Sequence, residues 1–255
     1  MRTLRLSNGF DIRLHDLAGK GPALVFIHGL GCASSCDYIA VARAAALRER
    51  RALLVDLVGY GFSGKPQAFS YGVEAHAAVV MELLDQLEIG TADLFGHSMG
   101  GAVAIAVAAC RPERLRSLIL SEPNLDPGGG FFSRAIASQS ERDYVERGHA
   151  ADIHEAIASG QHAWASSMTV ASPLAVHRDA ASLVRGTAPS WRSALLGLAG
   201  LPRTVIFGAR SLPDNDHEQF PNHDIAVGVV PDAGHSMATD NPGGLATAIA
   251  GACHA

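Results

Sequence analysis

The chain has 255 residues, a formal charge of −5, 48% hydrophobic and 18% charged residues, a balance that buries a sizeable core and excludes a disordered chain. Its acidic and basic residues are interspersed without a basic stripe, which argues against nucleic acid as a partner. No stretch approaches eighteen uninterrupted apolar residues, and Arg2 and Arg5 precede no long apolar run. Neither a membrane span nor a secretory signal is indicated, and a cytoplasmic location is expected. The four cysteines, Cys32, Cys36, Cys110 and Cys253, are too few for a disulfide framework in a chain of this length and are expected as free thiols. The twelve histidines are scattered with no H-E-x-x-H pattern, so neither a metal nor a cofactor is expected.

In chain order, "LRLSNGFDIRLHD" alternates apolar and polar residues on both sides of Asn8-Gly9, which predicts an opening β-hairpin with both turn residues at positive φ. "ALVFIHG" is a short continuous apolar run of buried-strand length, followed by an alanine-rich helical stretch from Ser34 to Arg50 with a basic end. "ALLVDL" is the next strand. The segment from Tyr71 to Leu87 carries Val73, Ala77, Val80, Leu84 and Leu87 at helical spacing. "ADLFGH" and "SLILSEP" are two further strands, separated by a helix in "GGAVAIAVAAC". Such alternation implies parallel strands joined by crossover helices, a sheet covered on both faces.

After "SLILSEPNLDPGGG" the rhythm changes to helical patches without a convincing strand. Strand character resumes in "RTVIFGA" and "IAVGVV", and Asn241 to Ala255 reads as a closing helix. The expected organisation is an α/β core, residues 1–122 and 201–255, with a mostly parallel central sheet, helices on both faces and an inserted helical lid at 123–200.

The chemistry centres on Gly96-His97-Ser98-Met99-Gly100. A serine on a sharp strand-to-helix turn needs small neighbours two residues away on either side, because the turn brings those positions against adjoining chain. Its hydroxyl then projects alone, at the end of a helix whose dipole favours developing negative charge. A serine hydroxyl is a poor nucleophile at neutral pH and requires a histidine base. His235, in "VVPDAGHSMATDNP", stands between the last strand and the final helix, where a loop can carry an imidazole over the carboxyl edge of the sheet. Donors for a developing oxyanion are expected from the backbone N–H groups of Leu30, in the "HGLG" turn, and Met99. His28 is expected to brace that turn.

Four features in order, "HGLG", "DLVGYGFSGKP" from Asp56 to Pro66, "GHSMGG" and "DAGHS", resemble the α/β-hydrolase superfamily over nearly the whole chain. The resemblance implies a triad in the order nucleophile, acid, histidine, and gives Asp56 and its glycines a loop-shaping role. The sequence departs from the commonest pattern where the acid usually stands, three residues after Gly208, because that residue is Ser211. Asp214 and Asp216 lie slightly downstream. Glu122, at the end of the strand after the nucleophile helix, is the preferred acid; some haloalkane dehalogenases and zearalenone-type lactone hydrolases resemble this arrangement. The carboxylate would orient His235 and stabilise its protonated form.

A serine at the elbow argues against dehalogenases and epoxide hydrolases, which use Asp there. Hydrolysis of a small, apolar carboxylic ester or lactone is expected, with a carbon–carbon bond hydrolase or a non-catalytic ligand receptor as alternatives. The lid is expected to set substrate choice. Phe131, Phe132, Trp164, Met168 and Trp191 are candidates for its pocket wall or its core, and "DPGGG", Asp126 to Gly130, for a hinge or a rigid turn.

Overall fold

The computed structural model describes residues 1–253; positions 254 and 255, the end of the expected closing helix, lie outside the described residues. Eight strands, β1 (Arg2–Arg5), β2 (Asp11–Leu17), β3 (Lys20–Ile27), β4 (Arg50–Asp56), β5 (Ala92–His97), β6 (Leu115–Ser121), β7 (Arg203–Gly208) and β8 (Ala226–Val230), form one sheet in the order β1-β2-β4-β3-β5-β6-β7-β8. The pairs β1/β2 and β2/β4 are antiparallel and all others are parallel.

The apolar strands are buried on both faces because successive side chains point to opposite sides. Along β3, Val25 and Ile27 join one core, and Leu24 and Phe26 join the other. The first core packs under α3 (Val73–Gln86) and α4 (Met99–Cys110), and the second under α2 (Ile39–Arg43), which follows α1 (Ser34–Asp37).

Two local expectations are corrected. Of Asn8 and Gly9 only Gly9 sits at positive φ (83°). The Leu6 N–H donates to Phe10 O and the Gly9 N–H to Leu6 O, so the hairpin closes through a three-residue loop ending in a left-handed glycine. The stretch from Ser34 to Arg50 is not one helix but α1, α2 and turns. The break falls at Tyr38, whose buried ring packs 5.3 Å from Phe26 and 5.5 Å from Phe95; anchoring that ring in the core overrides the helical preference of the alanines.

Between β6 and β7 the described residues form no strand. They form α5 (Phe131–Ala137), α6 (Glu141–Asp143), a π-turn at Tyr144–Gly148, α7 (His149–Ala158), α8 (His162–Thr169), α9 (Pro173–Arg185) and α10 (Trp191–Gly197). After β7 come α11 (Asn215–Gln219), α12 (Met237–Asp240) and α13 (Pro242–Ala252), which lies on the second core. No helix among the described residues is long and apolar enough to cross a membrane.

Two polar fastenings tie the helical excursion to the core. The buried Asp179 of α9 accepts from the Tyr60 hydroxyl (2.7 Å), the Gly72 N–H and the buried His76 Nε2 (3.0 Å). Arg192 of α10 grips both Asp126 and Asp216.

The elbow between β5 and α4 is packed backbone to backbone. A Cβ at Gly100 would overlap the Ile27 and His28 carbonyl oxygens, and one at Gly96 the Gly100 carbonyl. Gly100→Ala is therefore expected to destabilise the fold by about 2–3 kcal/mol through overpacking against atoms that cannot rotate away. In a thermal melt the midpoint should fall by roughly 5–10 °C.

Candidate active site

The sheet order brings the three candidate residues together. Ser98 follows β5 and Glu122 follows the neighbouring β6, where His97 is in register with Ser121 and the Ser98 N–H donates to Ser121 O (3.0 Å). Both residues leave their strands at positive φ, Ser98 at 52° and Glu122 at 39°. Ser98 is the first flanking residue of α4, and its carbonyl accepts the N–H groups of Gly101, Ala102 and Asn124. A non-glycine residue held in the left-handed region is strained, and such positions cluster at functional sites.

His235 comes from the loop between β8 and α12. Its Nδ1–H donates to Glu122 Oε2 at 2.7 Å, while Glu122 Oε1 accepts the Gly208 N–H at 3.0 Å. Burial alone would raise the Glu122 carboxyl. The hydrogen bonds from His235 and Gly208, with a smaller effect from Ser211, outweigh it and hold the group down at about 2, so it is ionised at neutral pH. Ser211, where the commonest pattern of the resemblance has an aspartate, thus bonds to the glutamate.

Asp214 and Asp216 are engaged elsewhere. Asp216 meets Arg192 through two contacts of 2.6 and 3.0 Å, and Asp214 caps α11 by accepting the Asp216 N–H at 2.7 Å. His235 has neither as a partner.

Ser98, Glu122 and His235 line one cavity of about 510 Å³. Ser98 and His235 are not hydrogen-bonded to each other; the Ser98 hydroxyl donates to Asn124 Oδ1 at 3.4 Å. Asn124 was not singled out from sequence, nor was His97, whose ring lies 4.6 Å from that of His235. Burial and the nearby His235 hold the His97 imidazole down at about 3, and its Nδ1–H donates to Ser121 O. His97 is the variable residue of the elbow motif, and nothing in the pattern marks it.

On the other side of Ser98, the turn after β3 approaches so closely that a Cβ at Gly29 would stand 3.3 Å from the Ser98 Cβ. Among the described residues neither the Leu30 N–H nor the Met99 N–H has a protein acceptor. The Leu30 carbonyl accepts from the Trp164 indole N–H of α8 (3.0 Å). His28 braces the turn: its Nδ1–H donates to Gly29 O (2.8 Å) and its Nε2 accepts the Leu57 N–H (3.1 Å). Asp56 shapes the next loop by accepting from the Ser35 N–H and hydroxyl and the Phe62 N–H. Of the five aromatic and methionine candidates between β6 and β7, Phe131, Phe132 and Trp164 line the cavity, whereas Met168 and Trp191 are buried in the core.

Burial holds the His28 imidazole at about 4, against an ordinary value of 6.5. The unfolded chain therefore binds a proton near pH 6.5 that the folded chain refuses until about pH 4. Stability is complete above 6.5 and is lost as pH falls through that window. Between pH 7 and 5 this group should account for about 2 kcal/mol of lost stability. Urea unfolding at the two pH values should show a loss smaller by about that amount in His28→Asn.

A family model described as the alpha/beta hydrolase fold matches residues 22–151, just over half of the chain. The 2-hydroxy-6-oxo-2,4-heptadienoate hydrolase of Pseudomonas putida (strain F1) is 38% identical over 117 residues, 45% of this chain and 42% of that protein, so the matched part spans under half of that relative's length. Haloalkane dehalogenase 2 of Mycobacterium tuberculosis is 27% identical over 264 aligned positions, 93% of this chain and 90% of the relative. A solved structure of an esterase from Thermogutta terrifontis superposes with a TM-score of 0.77 at 22% identity, covering 98% of this chain and 97% of its own; at that identity the likeness is one of fold. The model match, the sheet order and the serine turn between β5 and α4 agree, and the chain belongs to the α/β-hydrolase family.

Proposed function

We propose that this chain is a serine hydrolase of carboxylic esters or lactones, with Ser98 as nucleophile, His235 as general base and acid, and Glu122 as the acid that orients His235. The observation that carries the reading is the 2.7 Å bond between His235 Nδ1 and Glu122, in the cavity that also contains the elbow serine. With Nδ1 committed to the carboxylate, Nε2 is left unprotonated and able to accept the Ser98 proton.

Ser98 Oγ bonds to the carbonyl carbon as its proton passes to His235, and the oxyanion is met by the Leu30 and Met99 N–H groups. The C–O ester bond breaks, His235 returns the proton to the departing alkoxide, and an acyl-serine and an alcohol result. Water then repeats the sequence: His235 takes its proton, the hydroxyl adds to the acyl carbon, and Ser98 leaves with the proton returned. Residues 123–200 act as the cap that shapes the acyl site, through Phe131, Phe132 and Trp164.

The 38% identical relative favours a second reading, carbon–carbon bond hydrolysis. The substrate in that relative's name is a carboxylate. Among the described residues lining this cavity none is lysine or arginine, so an anionic substrate finds no free cation to pair with. That lining supports a neutral ester or lactone instead. Dehalogenation, the reaction in the name of the 27% identical relative, is disfavoured by serine where such enzymes carry aspartate.

The test is turnover of p-nitrophenyl esters of increasing acyl length. A burst of p-nitrophenol is expected, with the acyl mass on the peptide containing Ser98. Turnover with no adduct on that peptide, even after rapid acid quench, would count against the reading.

A further inference from the structure

A second cavity, of about 350 Å³, adjoins the first: His97, His235, Phe132 and Trp164 line both, whereas Ser98 lines only the larger. The lining of the second includes the buried apolar side chains of Tyr38, Phe95, Met237 and Leu245. Its ionisable lining residues include the carboxylates Asp37 and Asp240 but, among the described residues, no lysine or arginine. An apolar cavity of about 150 Å³ holds a benzene ring, so this one has room for a fused bicyclic group.

Resting on the reading of Ser98 as nucleophile, we infer that the second chamber receives the alcohol half of an open-chain ester, and that the substrate is an ester with two bulky, uncharged halves rather than a lactone. When the C–O bond breaks, the acyl half stays covalently on Ser98 and must remain in the cavity that Ser98 lines. The other half leaves as an alkoxide that takes its proton from His235, and His235 is among the residues with a face in both cavities. The bond that breaks therefore lies at the wall between them, with the departing alcohol on the side that His235 borders and Ser98 does not. A lactone gains nothing from this plan, because its alcohol stays tethered to the acyl group. An anionic alcohol is disfavoured because, among the described residues, the lining offers no lysine or arginine, and Asp240 is already paired with Arg210 at 2.7 Å.

The chamber can be filled without touching the Ser98 cavity. Ala163 of α8 and Ala238 of α12 line only the second cavity. Ala163 is exposed and Ala238 is half-buried against the second core, so a larger side chain at Ala163 leaves the core packing untouched. Ala163→Trp and Ala238→Trp are compared with the parent protein on three esters: methyl butyrate, 2-(2-naphthyl)ethyl butyrate, and methyl 2-naphthylacetate, which moves the bulk to the acyl side. The expected result is that each tryptophan lowers the kcat/KM ratio of naphthylethyl butyrate to methyl butyrate at least tenfold and leaves the ratio of the two methyl esters within twofold. A loss confined to the naphthylacetate would place the acyl half in the chamber and overturn the inference. Unchanged ratios in both variants would equally overturn it while leaving the serine hydrolase reading intact. Failure of the parent protein to hydrolyse any ester would remove that reading, and the inference with it.

Discussion

Ser98→Ala is expected to lower kcat for p-nitrophenyl ester hydrolysis by about 10⁴-fold or more, because removing the nucleophile of a serine triad leaves only oxyanion stabilisation and binding. KM should move little, since the hydroxyl is a small part of the binding surface. The fold should survive. The structural bonds at this position come from the Ser98 backbone, whose carbonyl accepts three N–H groups and whose N–H donates to Ser121, and the side chain contributes one long bond to Asn124. Alanine meets the same positive φ with a side chain no larger. Circular dichroism and a thermal melt run beside the rate measurement separate loss of chemistry from loss of structure. A well-folded variant retaining a tenth of the parent rate would exclude Ser98 as nucleophile.

Glu122→Gln is expected to cost about 10²- to 10⁴-fold in kcat, while Asp214→Asn and Asp216→Asn each change it less than about threefold, as surface-type contacts do. The glutamine oxygen can still accept the Gly208 N–H now bound by Oε1. That places the amide NH₂ against His235 Nδ1, which must then accept a hydrogen bond, and the ring proton moves to Nε2. An imidazole protonated at Nε2 cannot receive a proton from Ser98. The same change removes the carboxylate that stabilises the imidazolium. Asp214 and Asp216 lack this leverage, being spent on the α11 cap and on Arg192. A full-rate Glu122→Gln beside an inactive Asp214→Asn or Asp216→Asn would move the acid role to the aspartates.

The parts of the molecule legible in the sequence are those where one short-range rule governs. Continuous apolar strands separated by periodic helices imply the parallel sheet, and the small residues around Ser98 imply the elbow, because both are requirements of local packing. The Ser34–Arg50 stretch was misread because alanine content reports helix preference but not the aromatic cage around Tyr38, which is assembled from β3 and β5. The Asn8-Gly9 turn was misread because loop length is set by strand register, which that dipeptide does not encode. Asn124 and His97 went unnoticed because their significance is positional: each lies beside a residue that another strand delivers. Glu122 is singled out by the resemblance to family members that carry an acid at the end of the strand after the nucleophile helix, and by Ser211 standing where the commoner aspartate would be.

The Asp179 fastening has a consequence for how the molecule breathes. Its partners come from the segment after β4 and from α3, and all of them close on a carboxylate that is itself buried. Withdrawing any one leaves a buried carboxyl oxygen short of a donor, at a cost of about 1–3 kcal/mol. Helix α9 is thereby enrolled in the cooperative unit of the sheet, and its amides should exchange with solvent deuterium only in events that also expose α3. The openings that admit a ligand are left to the rim around Phe131 and Phe132, which are exposed, and there exchange should be fastest.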